Sequence, residues 1–164
     1  MKLNRIHFII LVVLMATIVS ACTIKNDMYR NDYDSLILYN TVSNSFYTEG
    51  GVNVMDNDVL LEFIDIKPEY LIDYTVVKAK DAKNINEIGI FRVNSDGVNE
   101  IKDMVNNYVA NLMQSYRAMD YFPEEIEKID CAKVKVFGNY VIYSFLNEKD
   151  SESFYNSIEA AIRK

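Results

Sequence analysis

Histidine is almost absent from this chain: its 164 residues hold one, His7. Past that position no Ser-His-Asp or Cys-His catalytic pair, no histidine-ligated zinc and no imidazole general base can be assembled. Cysteine is nearly as scarce, with Cys22 and Cys131 alone, so the fold rests on packing rather than on a disulfide framework. No GxxxxGK[ST] phosphate loop, GxSxG elbow, GxGxxG turn or CxxC pair occurs. Positive charge is short too: 17 basic residues face 24 acidic ones, a net charge of −7. Two of the basic residues, Lys2 and Arg5, precede Cys22 and no acid does, so the chain beyond Cys22 is more acidic still. That balance argues against a nucleic-acid partner and against electrostatic adhesion to anionic lipid. No metal-ligand spacing and no cofactor motif is expected. The twelve tyrosines, with no tryptophan, suit interfaces, strands and half-buried helix faces alike.

What is present first is an oily run, Phe8 to Val19, behind the short basic stretch at Lys2 and Arg5. A membrane-spanning helix needs ~20 apolar residues; this run is shorter and has the layout of a secretory signal. It ends in Val19-Ser20-Ala21-Cys22, which resembles the lipobox of bacterial lipoprotein precursors. The resemblance implies cleavage before Cys22, a diacylglycerol on its thiol and display on the extracytoplasmic face of the cell membrane. Residues 1–21 are therefore expected to be a removed signal peptide, 22–32 a polar tether and 33–164 one folded domain. With Cys22 lipidated, Cys131 is left without a disulfide partner and is expected to lie in a strand near the core.

Apolar spacing predicts a helix over Asp34 to Tyr47 through Leu38, Tyr39, Val42 and Phe46, and a shorter one over Asp58 to Phe63. Strands are expected at Tyr74 to Lys80 and Glu87 to Val93, then a long helix from Val98 to Met119. The order then repeats: strand Lys133 to Phe137, a two-residue turn at Gly138-Asn139, strand Tyr140 to Leu146 and a helix from Ser151 to Arg163. The long helix carries Ile101, Val105, Tyr108, Leu112 and Tyr116 on one stripe. The expected class is α+β: N-terminal helices, then two ββα units forming an antiparallel four-stranded sheet with helices packed on one face. Asn94-Ser95-Asp96-Gly97 reads as a turn before the long helix, since its register fails that of a calcium loop.

Two surface candidates stand out. Tyr116, Arg117, Tyr121, Phe122, Glu124 and Glu125, around the end of the long helix, would line a shallow site for an apolar or sugar-like ligand, or else plug the core beneath a loop. Lys78, Lys80, Lys133 and Lys135 alternate with apolar residues and would form a basic stripe toward a phosphate-rich wall polymer if their strands were neighbours, or else protect the sheet and keep it soluble.

"NINEIGIFRV", "NLMQSYRAMDYFPEEIEKID" and "VFGNYVIYSFLN", together with the lipobox, make the chain similar to a lipoprotein family of unassigned function from Gram-positive bacteria. The resemblance covers roughly Asp34 to Ile162 and supplies no catalytic residue. The expected function is a membrane-tethered, non-catalytic binding or interaction module, or an accessory subunit, with the membrane as one partner and a protein or wall component as another. The alternative is a carboxylate-dependent surface enzyme acting on cell-wall or extracellular glycan.

Overall fold

A computed structural model of the chain describes residues 28–55, 64, 66–119 and 123–164, with only the backbone of residues 123 and 124. The segment expected to be a signal peptide, Cys22 and the helix expected over Asp58 to Phe63 lie outside the described residues.

Helix α1 (Ser35–Val42) starts where the Asp34 carboxylate accepts the backbone N–H groups of Leu36 and Ile37. It stops five residues before the predicted end. The Ser43 hydroxyl donates to the Asn40 carbonyl and the Ser45 hydroxyl to the Val42 carbonyl, local bonds that compete with helical ones. The tight turn Ser43–Ser45 follows, and Phe46 is already extended. Strand β1 (Val52–Val54) is too short to show a period of two, and Gly50 and Gly51 deliver it with φ of 76° and 82°.

Strand β2 (Leu71–Ala79), strand β3 (Glu87–Val93), helix α2 (Val98–Ala118), helix α3 (Pro123–Asp130), strand β4 (Lys133–Phe137), strand β5 (Tyr140–Phe145) and helix α4 (Glu148–Ile162) follow, with short helical turns at Pro68–Tyr70 and Ser95–Gly97. Helix α3 was not predicted, although Pro123 at its first position and the acids behind it form an ordinary helix start. Helix α4 begins three residues early because the Asn147 side chain accepts the Asp150 N–H at 2.9 Å. Cys131 follows α3 instead of lying in a strand; its thiol is half-buried, and burial followed by the neighbouring Glu127 carboxylate pushes its pKa up.

The α+β class holds, with one antiparallel sheet of five strands in the order β1-β2-β3-β5-β4. Helices cover both of its faces, not one. Ile101, Val105, Val109 and Tyr116 of α2, with Ile129 of α3, pack on Val76, Phe91, Val93, Val141, Tyr143 and Phe145. Leu38, Tyr39 and Val42 of α1 join Phe154, Tyr155, Ile158 and Ile162 of α4 on the opposite side, over Val77, Ile88, Ile90, Tyr140 and Ile142. The reason lies in β3 and β5: every second residue meets one face, and both alternating sets are apolar. Because α2 and α4 take opposite faces, no rotation superimposes the two ββα units.

Of the span expected as a tether, 22–32, only residues 28–32 are described. From Met28 the chain is docked: Tyr29 forms a bridge with Arg163, Arg30 N–H donates to the Ile162 carbonyl at 2.7 Å, and Lys164 N–H donates to the Met28 carbonyl at 3.0 Å. The chain thus joins the fold at the C-terminal end of α4.

Gly89 sits opposite Tyr143 in the β3–β5 register, and a Cβ there would fall 2.0 Å from Tyr143 Cε1. That ring is wholly buried and has nowhere to go. Gly89→Ala is expected to destabilise the protein by about 2–3 kcal/mol through overpacking, read as a lower midpoint in urea unfolding; an unchanged midpoint would contradict the packing described.

Candidate functional site

Among the described residues expected around the end of the long helix, Tyr116, Arg117 and Glu125 do not converge. Tyr116 points into the sheet, edge-on to Phe145 at 5.7 Å between ring centroids. Arg117, next along the helix, points outward to Asp130 at 2.7 Å. The Glu125 carboxylate turns inward, accepting the Ile85 N–H at 2.8 Å and pairing with Lys128 at 2.7 Å. It fastens α3 to the β2–β3 connection and is not free for a ligand. Tyr121 and Phe122, and the side chain of Glu124, lie outside the described residues.

The basic stripe does not form. Strands β2 and β4 are separated by β3 and β5, so Lys78 and Lys80 lie far across the sheet from Lys133 and Lys135. They also project differently. Lys78 turns to the α2 face, donating to the Tyr116 hydroxyl at 3.2 Å. Lys133 and Lys135 lie on the α4 face, with their ammonium groups 5.8 and 4.5 Å from the Tyr155 ring centre. On the edge strand β4 they also discourage pairing with another chain.

A polar cluster escaped prediction. Glu87, 1 % exposed, accepts the Tyr143 hydroxyl at 2.6 Å and the Tyr108 hydroxyl at 2.8 Å on its Oε1. Its Oε2 has no hydrogen bond and lies 3.6 Å from Lys78 Nζ. The Tyr143 ring reaches Glu87 by lying across Gly89. Burial first, and then the adjacent carboxylate, pushes the phenol pKa values of Tyr108 and Tyr143 well up. The sequence signal was a charged residue and a glycine inside the otherwise apolar "EIGIFRV"; glycine in a strand marks a close approach. Sealed beneath α2, the cluster joins helix to sheet.

An open concavity among the described residues lies on the opposite layer. A cleft of ≈ 540 Å³ runs between the segment Ser43 to Tyr47 and the first turns of α4, where Lys149, Asp150 and Ser153 line it. Phe46 is anchored edge-on to Phe154 at 5.7 Å, whereas Tyr47 beside it is 74 % exposed. The Asn86 amide fixes this wall by donating to the Tyr47 carbonyl at 3.4 Å and to the Thr48 hydroxyl at 3.1 Å. Across the cleft Asn147 and Asp150 hold each other: the Asn147 side chain caps the Asp150 N–H and donates to Asp150 Oδ2 at 3.0 Å. Sequence patterning missed this site because Phe46 and Tyr47 were assigned to a helix that ends before them.

Fold and cleft together define a small α+β domain with a five-stranded antiparallel sheet between two helical layers. The chain belongs to the family of the domain of unknown function DUF4358, whose model matches residues 45–146. The matched span takes in all five strands, α2 and α3, and Phe46 and Tyr47, and ends just before α4. No curated protein and no solved structure matches the chain.

The buried phenols make stability fall at high pH. An unfolded tyrosine titrates near ~10, while in the fold Tyr140 is pushed up to about 12, mainly by burial, and Tyr108, Tyr143 and Tyr155 are also raised. The folded chain therefore keeps protons that the unfolded chain releases. This stabilisation is complete below pH ~10 and is lost as pH rises through the folded values. Denaturant midpoints are expected to hold to pH ~9.5 and drop steeply above it. Tyr143→Phe, which takes a donor from Glu87, is expected to cost about 1.5–3 kcal/mol at neutral pH; a neutral effect would show that the carboxylate is satisfied without it.

Proposed function

We propose that the chain is a lipid-anchored extracytoplasmic binding module, or an accessory subunit of a surface assembly, attached through Cys22 and presenting the cleft between Tyr47 and the start of α4 to its partner. The lipobox pattern Val19-Ser20-Ala21-Cys22 supports the anchor, and among the described residues no helix is long and apolar enough to cross a membrane.

The observation that carries the reading is where the chain joins the fold. Cys22 and Met28 are separated by at most about 20 Å of chain, and Met28 to Arg30 dock at the C-terminal end of α4. The cleft lies at the N-terminal end of that 15-residue helix, about 22 Å further along. A lipid at Cys22 would hold one end of α4 near the membrane and leave the cleft at the far end.

The chemistry of the cleft supports recognition over hydrolysis. Asp150 is its one lining carboxylate among the described residues, and hydrolysis of a glycoside ordinarily takes two flanking the bond. Glu125 and Glu87, the buried carboxylates among the described residues, are engaged with Ile85 and Lys128 and with two phenols.

In a bacterial host the full chain is expected to fractionate with membranes and to show a diacylglyceryl mass on Cys22, while Cys22→Ser shifts it out of the membrane fraction. Membrane retention of Cys22→Ser, or an unmodified thiol in the native protein, would refute the anchor.

A further inference from the structure

We propose that the cleft between Phe46-Tyr47 and the first turns of α4 is a binding site for a neutral saccharide, such as a short stretch of a surface glycan. The inference deepens the binding-module reading and rests on it.

The lining makes the case. Among the described residues its apolar part consists of two aromatic residues, Phe46 and Tyr47, with no aliphatic residue in the lining. A peptide or lipid ligand calls for aliphatic pockets, whereas the C–H face of a pyranose lies flat on an aromatic ring. Tyr47 offers such a face, being 74 % exposed beside a cleft, and a large ring held out in water beside a concavity is a binding feature. The uncharged polar part of the lining is hydroxyl and amide: Ser43, Asn44, Ser45 and Ser153. Ser43 and Ser45 spend their protons on the carbonyls of Asn40 and Val42, so their oxygens present acceptors. The Asn44 side chain brings both donor and acceptor. A ligand bearing many hydroxyls, each donor and acceptor at once, complements that set.

Charge narrows the class. Lys149 and Asp150 are the two charged residues of the lining and cancel, and the acids Glu148 and Asp150 in the first turn of α4 answer the positive end of its dipole. Neither an anion nor a cation is favoured. The volume of ≈ 540 Å³ falls within the range of ligand sites, ~300–1,000 Å³. Both walls are fixed beforehand, Phe46 by Phe154, the Tyr47 backbone by Asn86, and Asp150 by Asn147, which reduces the ordering cost of binding.

The test is titration calorimetry of the full chain in detergent micelles with N-acetylchitotetraose, maltotetraose and cellotetraose. At least one is expected to bind. Tyr47→Ala is expected to weaken that binding at least about tenfold, and Tyr47→Trp to keep it within about threefold, with thermal unfolding unchanged because the side chain is exposed. Binding of none of the three to the folded chain, or equal binding by Tyr47→Ala, overturns the proposal. If none binds, yet native membranes yield a protein partner that Tyr47→Ala releases, the saccharide falls while the binding-module reading stands.

Discussion

Strands β3 and β5 lie side by side at the centre of the sheet and are apolar on both faces, a constraint that one layer of helices cannot satisfy. Ile88 and Ile90 of β3 and Tyr140 and Ile142 of β5 point one way, Phe91 and Val93 and Val141, Tyr143 and Phe145 the other. Each face left to water would cost about 25 cal/mol for every Å² of apolar surface. The long helix α2 covers one side, and α1 with α4 the other. The N-terminal segment from Met28 to Arg30 and the C-terminal Arg163-Lys164 then close over the end of α4. The cleft exists because the second layer exists: it is the gap between the end of α1 and the start of α4.

The α2 layer is knitted by polar atoms as well as packing. Glu87 is taken out of water on a strand and compensated by two phenols from different elements, Tyr108 on α2 and Tyr143 on β5. Such a network is costly when any member is missing, so it selects one register of helix on sheet. Gly89 completes it by leaving room for the Tyr143 ring. The α4 layer uses a lighter version: the Tyr155 hydroxyl donates to the Lys133 carbonyl at 2.7 Å, and the Tyr140 hydroxyl to the Tyr33 carbonyl at 2.8 Å. Tyrosine is abundant because its ring fills a core while its oxygen reaches a partner at the edge.

Long periodic segments were legible in the sequence. Helix α2 ends within a residue of expectation, β3 and β4 match it at both ends, and the hairpin turn falls at Gly138, whose φ of 56° suits glycine. Short or locally overridden segments were not. Strand β1 has three residues, α1 was cut back by serine-to-carbonyl bonds, and α3 opens on a proline that also reads as a stop for α2. The one-face layout failed because a strand buried on both sides gives no alternation to read. The described candidate residues lie apart for related reasons. A lysine pattern states which face of its own strand a residue takes but not which strands are neighbours, and Glu125, two residues past Pro123, carries no sign in the sequence that its carboxylate folds inward to Ile85. Phe46 and Tyr47 were visible as residues; their exposure was hidden by the helix assigned to them.

The double-sided centre is the claim on which both layers and the cleft depend, and native-state hydrogen exchange of the backbone amides tests it most directly. The account predicts that the amides of Glu87–Val93 and Tyr140–Phe145 exchange slowest, and that the central amides of α2 and α4 open only with them, at the free energy of global unfolding. Exchange of α1 and α4 as a separate low-energy unit, with β3 and β5 still fully protected, would contradict it.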